Sequence, residues 1–304
     1  MISRTILLKL ADNPSVEAFV KKNGMSRGLA TRFIAGEDMI AAGQAVRSIN
    51  STGMAATLDF LGENVSTKEE ASGYVDYYQK LFRYIQTEKL DSNVSLKLSQ
   101  LGLDVDVDMT IAFMESVLTE AASNKLFVRI DMEGSNYTEK TVMIASKLWE
   151  THQNVGTVIQ SYLYRSEKDV QALTELGMRI RLVKGAYKEP ATVAYPDKAD
   201  VDRNFVTLMK VLLERGNYPA IATHDPKMID ETKDFAKRKG IGVDKFEFQM
   251  LYGIRRDLQD QLKSEGYRVR VYVPFGTQWY PYIMRRMAER PANIWFVTKN
   301  LLKR

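Results

Sequence analysis

Residues able to do chemistry crowd the stretch 268–290, RVRVYVPFGTQWYPYIMRRMAER. Arg285 and Arg286 are adjacent, with Tyr282 before them and Glu289 after them. On a helix Tyr282, Arg285, Arg286 and Glu289 fall at i, i+3, i+4 and i+7, so they share one face. Two neighbouring guanidiniums can grip a carboxylate or a phosphate through forked hydrogen bonds. The same spacing also suits a solvated face on which Arg285 and Glu289 pair one turn apart.

Charged side chains also interrupt runs that otherwise look like strands. Lys97 sits in VSLKLS, Asp131 in LFVRIDM, and Arg181 and Lys184 in RIRLVKG. A strand covered on both faces should read as nearly continuous apolar residues. A lone buried Lys–Asp pair can satisfy itself. Several such groups together describe a polar pocket rich in cations, suited to an anionic ligand. Asp59, Glu133, Gln160, Thr223, Glu247, Gln249 and Arg270 stand in or beside other strand-like runs. His224, in ATHDP, precedes a helix start, where anions bind, although a lone histidine also serves as a plain hydrogen-bonding partner. Gly185 and Ala186 would let backbone approach a ligand closely. Tyr272, Tyr282 and Leu251 suit either ordinary core or an apolar wall against a small ring.

The elements that must position these groups are legible as a repeat. Strands are expected at 55–61, 94–99, 126–132, 157–163, 179–185, 220–224, 245–251 and 268–273. Helices are expected between and after them, at 67–87, 107–123, 138–152, 166–176, 199–215, 226–238, 255–265 and 277–290. This alternation predicts an α/β fold, a (β/α)8 TIM-type barrel with its site at the C-terminal ends of the strands. An open doubly wound sheet is the rival, but its usual G-x-G-x-x-G turn is absent. Segments 3–11, 14–22, 26–35 and 38–49 also read as helical, so residues 1–50 are expected to form an arm packed on a barrel of residues 51–304.

Composition removes several chemistries. The chain has 304 residues, no cysteine and two histidines, which excludes thiolate catalysis, disulfides and a multi-histidine zinc site. No metal site is expected. No apolar run is long enough to cross a membrane, and residues 1–13 do not read as a signal peptide, so a cytoplasmic location is expected. The net charge of +5 is spread out, with its densest cluster at 233–240, so nucleic acid is not an expected partner. Peripheral contact with an anionic membrane surface stays compatible with that charge. The residues alone also leave open a Schiff-base lyase with Lys97 or Lys184 as nucleophile, and a non-catalytic carboxylate-binding protein.

The motifs SLKLSQLG, RIDMEG, IQSYL, RLVKGAY, ATHD, FEFQML and the ending YVPFG…Y-x-x-R-R-x-x-E together cover most of 54–299. In this order they resemble the proline dehydrogenases, in their short, stand-alone bacterial form. The resemblance implies a distorted (β/α)8 barrel holding FAD noncovalently. It implies oxidation of L-proline to Δ1-pyrroline-5-carboxylate by hydride transfer to FAD, with electrons passed to a membrane quinone. It assigns catalysis to Asp131 and Arg181, and substrate contacts to Lys97, Tyr187, Leu251, Tyr272, Tyr282, Arg285, Arg286 and Glu289. It assigns cofactor contacts to Met132, Gln160, Arg181, Val183, Lys184, Gly185, Ala186, Thr223, His224 and Gln249. One departure stands out: Asp225 follows His224 where many relatives have asparagine.

Overall fold

A computed structural model of the chain describes residues 16–17, 20–21 and 32–289, with side chains described as far as Arg286. Eight parallel strands close into a barrel in sequence order, β8 pairing back onto β1. The strands are β1 (Ala55–Phe60), β2 (Ser92–Leu96), β3 (Val128–Ile130), β4 (Val155–Gln160), β5 (Arg179–Val183), β6 (Ala220–Ala222), β7 (Glu247–Leu251) and β8 (Arg268–Phe275). Helix α1 (Met39–Ser51) precedes them. The barrel helices are α2 (Lys68–Thr87), α3 (Val107–Ser123), α4 (Ser135–Trp149), α5 (Ser166–Glu175), α6 (Lys198–Arg215), α7 (Pro226–Lys239), α8 (Arg256–Ser264) and α9 (Trp279–Glu289).

Local chemistry explains where these helices start and stop. Thr67 accepts the Glu70 N–H ahead of α2, and Asp106 accepts the Met109 N–H ahead of α3. Asp225 caps α7 by accepting the Lys227 N–H, with Pro226 in the first turn. The basic cluster of 233–240 proves to be the end of α7, where Lys237, Arg238 and Lys239 complement the helix dipole and Gly240 turns left-handed.

The apolar core lies between strands and helices. Leu58, Leu96, Ile130, Leu182 and Phe248 point outward from the barrel and are fully buried among residues such as Phe82, Met114, Leu148 and Phe205. Ala42 and Val46 of α1 join the same core. Helix α9 rests on a separate cluster, in which Trp279, Tyr280, Tyr282 and Met284 meet Ile34 and Leu61. Backbone bonds from Ala35 N–H to Pro274 O and from Gly276 N–H to Gly36 O hold the approach to it. Residues 3–11 lie outside the described residues, as do most of 14–22 and 26–35; the described part of the last segment, 32–35, is turn and irregular chain rather than helix.

One element differs from expectation in a way that matters. The second strand, expected at 94–99, runs Ser92–Leu96 and gives way to a short 3-10 turn at Leu98–Leu101. The Gln100 side chain accepts the Lys97 N–H at 2.8 Å and Gly102 closes the turn at φ 90°. Lys97 therefore leaves the ladder and stands on the barrel rim.

Candidate active site

The barrel interior is charged on much of its height, because inward-facing strand positions such as Arg129, Arg181, Glu247 and Arg270 carry charges. The lower layer is a closed structural network. Arg270 Nε donates to Glu247 at 2.9 and 3.1 Å, and its Nη1 donates to Ala56 O at 2.8 Å and Asn93 Oδ1 at 3.1 Å. Burial opposes the charge on Glu247, but Arg270 overcomes it and holds the carboxyl below its usual value. Glu247 and Arg270, although charged residues on strands, thus lie one layer too deep to face a ligand. Arg129, two residues before Asp131, belongs to the same interior: its Nη1 donates to Thr157 O at 3.1 Å and Arg179 O at 2.6 Å. Burial, then the proximity of Arg181, pushes Arg129 well below its usual value.

Above this layer the side chains open onto a cavity of about 460 Å3. Every residue assigned to the site from the sequence lines it except Glu289, whose side chain lies outside the described residues. The cavity wall also includes Asp59, Val158, Lys198, Ala222, Asp225, Met250 and Ile254, which carry no assignment from the sequence.

The floor consists of two ion pairs. Arg181 Nη1 donates to Asp131 Oδ1 at 3.1 Å, and its Nη2 donates to Ser95 Oγ at 2.7 Å. The other Asp131 oxygen accepts the Tyr272 hydroxyl at 2.6 Å, and the Tyr272 ring lies 5.2 Å from the Arg181 guanidinium carbon. Burial, reinforced by Asp131, pushes the Tyr272 hydroxyl far up, so it stays a phenol and donates. Lys97 Nζ lies 3.4 Å from Asp59 Oδ1. Burial opposes the ammonium, but Asp59, Asp131 and Glu63 more than offset it and hold Lys97 above its usual value.

Helix α9 supplies the opposite wall. Arg285 pairs with Glu63, from the connection after β1. Burial works against its guanidinium, and Glu63 with Tyr187 holds it above the usual value. The Arg286 guanidinium lies 5.4 Å from the centroid of the Tyr282 ring. Burial also pushes the Tyr187 hydroxyl up to about 12, against the pull of Lys97 and Arg285.

The ends of β5, β6 and β7 make the third wall. Lys184 Nζ is held by Asp202 and by Asp225, the latter at 2.6 Å. His224 Nε2 accepts the Leu251 N–H at 2.8 Å, which leaves the imidazole proton on Nδ1. Two buried polar atoms of this wall and floor have no protein partner: Arg181 Nε, a donor, and Gln249 Oε1, an acceptor. Gln249 Nε2 is already committed to Glu247. Flanked by Val158, Val183, Ala222 and Met132, this wall suits a flat heteroaromatic ring that has both donors and acceptors. The isoalloxazine of a flavin fits that chemistry.

Gly185 shapes the same wall. It holds φ +117°, and a Cβ there would stand 2.5 Å from the Tyr162 ring. Gly185→Ala therefore meets both backbone strain and the body of an aromatic ring, and should cost about 1–3 kcal/mol of stability. Denaturant midpoints of the two proteins check this; an unchanged midpoint would show that the loop yields freely.

A model of the family described as proline dehydrogenase matches residues 42–299. The chain belongs to the proline dehydrogenase family. It is thereby an oxidoreductase of the first step of proline catabolism. Proline dehydrogenase 1 of Bacillus subtilis subsp. natto is 43% identical over 301 residues, which are 99% of each chain. The proline dehydrogenase of Deinococcus radiodurans is 44% identical over 307 residues, covering 99% of this chain and 98% of the relative. Among solved structures, proline utilization A (PutA) from Bdellovibrio bacteriovorus, inactivated by N-propargylglycine, superposes with a TM-score of 0.81 at 28% identity. That match covers 94% of this chain and 35% of the other, so the chain spans about a third of that longer protein.

Sequence reasoning missed the residues that hold the site together. Ser95 is small and buried on β2, and Glu63 lies in a connection; neither stands out by type. Arg129 was within reach, because it alternates with Asp131 on a strand and so must face the same way.

Proposed function

We propose that the cavity is where L-proline is oxidised to Δ1-pyrroline-5-carboxylate, with noncovalently bound FAD as the immediate oxidant. The observation that carries this reading is the joining of a cationic end, an apolar middle and a donor–acceptor wall in one cavity. Arg285, Arg286 and Lys97 take the substrate carboxylate, Arg285 exchanging part of its pairing with Glu63. Glu289 supports that clamp. Tyr187, Leu251, Tyr272 and Tyr282 enclose the ring and keep water from it. Asp131 orients Arg181 and Tyr272, so the cation stays aimed at the wall where the cofactor lies. Met132, Gln160, Val183, Lys184, Gly185, Ala186, Thr223, His224 and Gln249 hold the cofactor. When bound, FAD accepts the hydride from the ring carbon beside nitrogen.

Electrons then leave to a membrane quinone, which a cytoplasmic chain reaches by peripheral contact. No described helix is long and apolar enough to cross a membrane. The excess of positive charge favours an anionic surface. The lysine environment argues against a Schiff-base lyase: Lys97 is held above its usual value, and Lys184 is paired with two carboxylates. A Schiff-base lysine needs the opposite shift, so that its amine is neutral.

The protein should purify yellow with the absorbance of an oxidised flavin, and anaerobic L-proline should bleach it. A colourless protein that takes up no added FAD sinks the reading, and trapping of a lysine adduct by borohydride would favour the lyase.

A further inference from the structure

Helix α4 begins without a side chain of its own to cap it. Its N-cap is Gly134, and its first turn carries no acidic residue. The exposed donors at such a start need an acceptor. Glu189 supplies it, from the connection after β5. Glu189 Oε1 accepts the Ser135 N–H at 2.8 Å, and Oε2 accepts the Ser135 hydroxyl. The Tyr162 hydroxyl donates to the same Oε1 at 3.3 Å. One carboxylate therefore ties together the segments that follow β3, β4 and β5.

The tied segment is also fastened along its edge, and the Tyr187 N–H reaches the Tyr162 hydroxyl that Glu189 holds. Tyr162 N–H donates to Lys184 O, Tyr195 N–H to Tyr162 O and Tyr164 N–H to Val193 O. Between these points the chain runs from Gly185 to Pro190 and carries Tyr187, which lines the cavity; Glu189 itself does not line it. We infer that Glu189 is a positioning residue: by capping α4 it fixes the β5–α6 connection so that Tyr187 is held against the substrate ring. The inference rests on the proposed reading of the cavity. Removing the carboxylate frees the Tyr162 hydroxyl that holds the Tyr187 N–H and so loosens the segment, leaving the cation clamp and the floor pairs intact.

Glu189→Ala should raise KM for L-proline about tenfold while kcat stays within about threefold, because a loosened wall weakens binding more than the oxidation step. The dissociation constant of tetrahydro-2-furoic acid, a ring analogue that cannot be oxidised, should rise in parallel by calorimetry. Glu189→Gln keeps one acceptor oxygen and should recover most of the loss. Tyr162→Phe removes one bond to Glu189 and the acceptor for the Tyr187 N–H without touching the helix start, and should raise KM about two- to threefold. Unchanged KM and analogue affinity in these variants, whatever happens to stability, reduces Glu189 to a helix cap and overturns the inference. So does a fall in kcat at constant KM. Trypsin gives an arm that needs no substrate: cleavage after Lys184, whose flanking residues Gly185 and Ala186 are unchanged, should be faster in Glu189→Ala than in wild type. Equal cleavage rates overturn the latch even if the wild type fails to oxidise proline, an outcome that would sink only the reading of the site.

Discussion

Replacing Arg286 with methionine is expected to raise KM for L-proline by roughly thirty- to several-thousandfold, with FAD still bound. The range converts the roughly 2–5 kcal/mol typical for removing one member of a desolvated charge pair. Of the two arginines on the cavity face of α9, Arg285 is already engaged by Glu63. Arg286 lies over the Tyr282 ring, which orients its planar fork at the apolar enclosure. Methionine preserves much of the stem and its packing but removes the fork. Arg286→Lys should restore only part of the affinity, because an ammonium is a point charge and cannot make two parallel bonds to a carboxylate. Steady-state kinetics with flavin absorbance as the control for cofactor content checks this. Unchanged proline affinity in Arg286→Met would remove Arg286 from the carboxylate clamp.

The parts of the site that were legible in the sequence share one property. Lys97, Asp131 and Arg181 are charged residues in runs that pattern alone assigns to buried strands, and an ionised group is costly there unless it has work or a partner. The barrel was legible for a related reason: strand and helix periods alternate eight times along the sequence. What stayed hidden depended on meetings between distant segments. Glu63 and Arg285 are 222 residues apart, and Glu189 and Ser135 are 54 apart. No local pattern announces such a pair; only closure of the barrel brings β8 beside β1 and the β5 connection over α4. Depth was hidden as well. Arg270 and Tyr272 both face inward on β8, yet one completes the lower network and the other reaches Asp131 at the cavity floor. Alternation gives the face of a strand, whereas its height in the barrel follows from register, which is a property of neighbouring strands. The roles that name a flavin and proline came from the resemblance, since charge and periodicity specify an anion site and no more.

Replacing Asp131 with alanine is expected to lower kcat/KM for proline by two to three orders of magnitude and to destabilise the fold together with it. Asp131 joins the floor cation Arg181 to the aromatic wall by hydrogen bonds, accepting from Arg181 at 3.1 Å and from Tyr272 at 2.6 Å. Its loss leaves Arg181, 6% exposed, with Ser95 Oγ as its remaining hydrogen-bond acceptor in the floor and with Arg129 close by. Breaking a buried pair by removing one partner typically costs about 3–5 kcal/mol, mostly because the other charge stays buried without compensation. The Tyr272 hydroxyl loses this acceptor in the same step and is left with Asp59, so the ring is held less firmly at its angle to the cavity. Asp131→Asn keeps an acceptor oxygen but not the charge, and should fall between wild type and alanine. The decisive comparison is a double-mutant cycle with Arg181→Met. In that background no guanidinium remains to be stranded, so Asp131→Ala should cost far less stability there than in the wild type. Denaturant midpoints of the four proteins measure the coupling. If the two substitutions simply add, Asp131 does not hold Arg181, and the loss of activity in Asp131→Ala must come through its other partners, Tyr272 and Lys97.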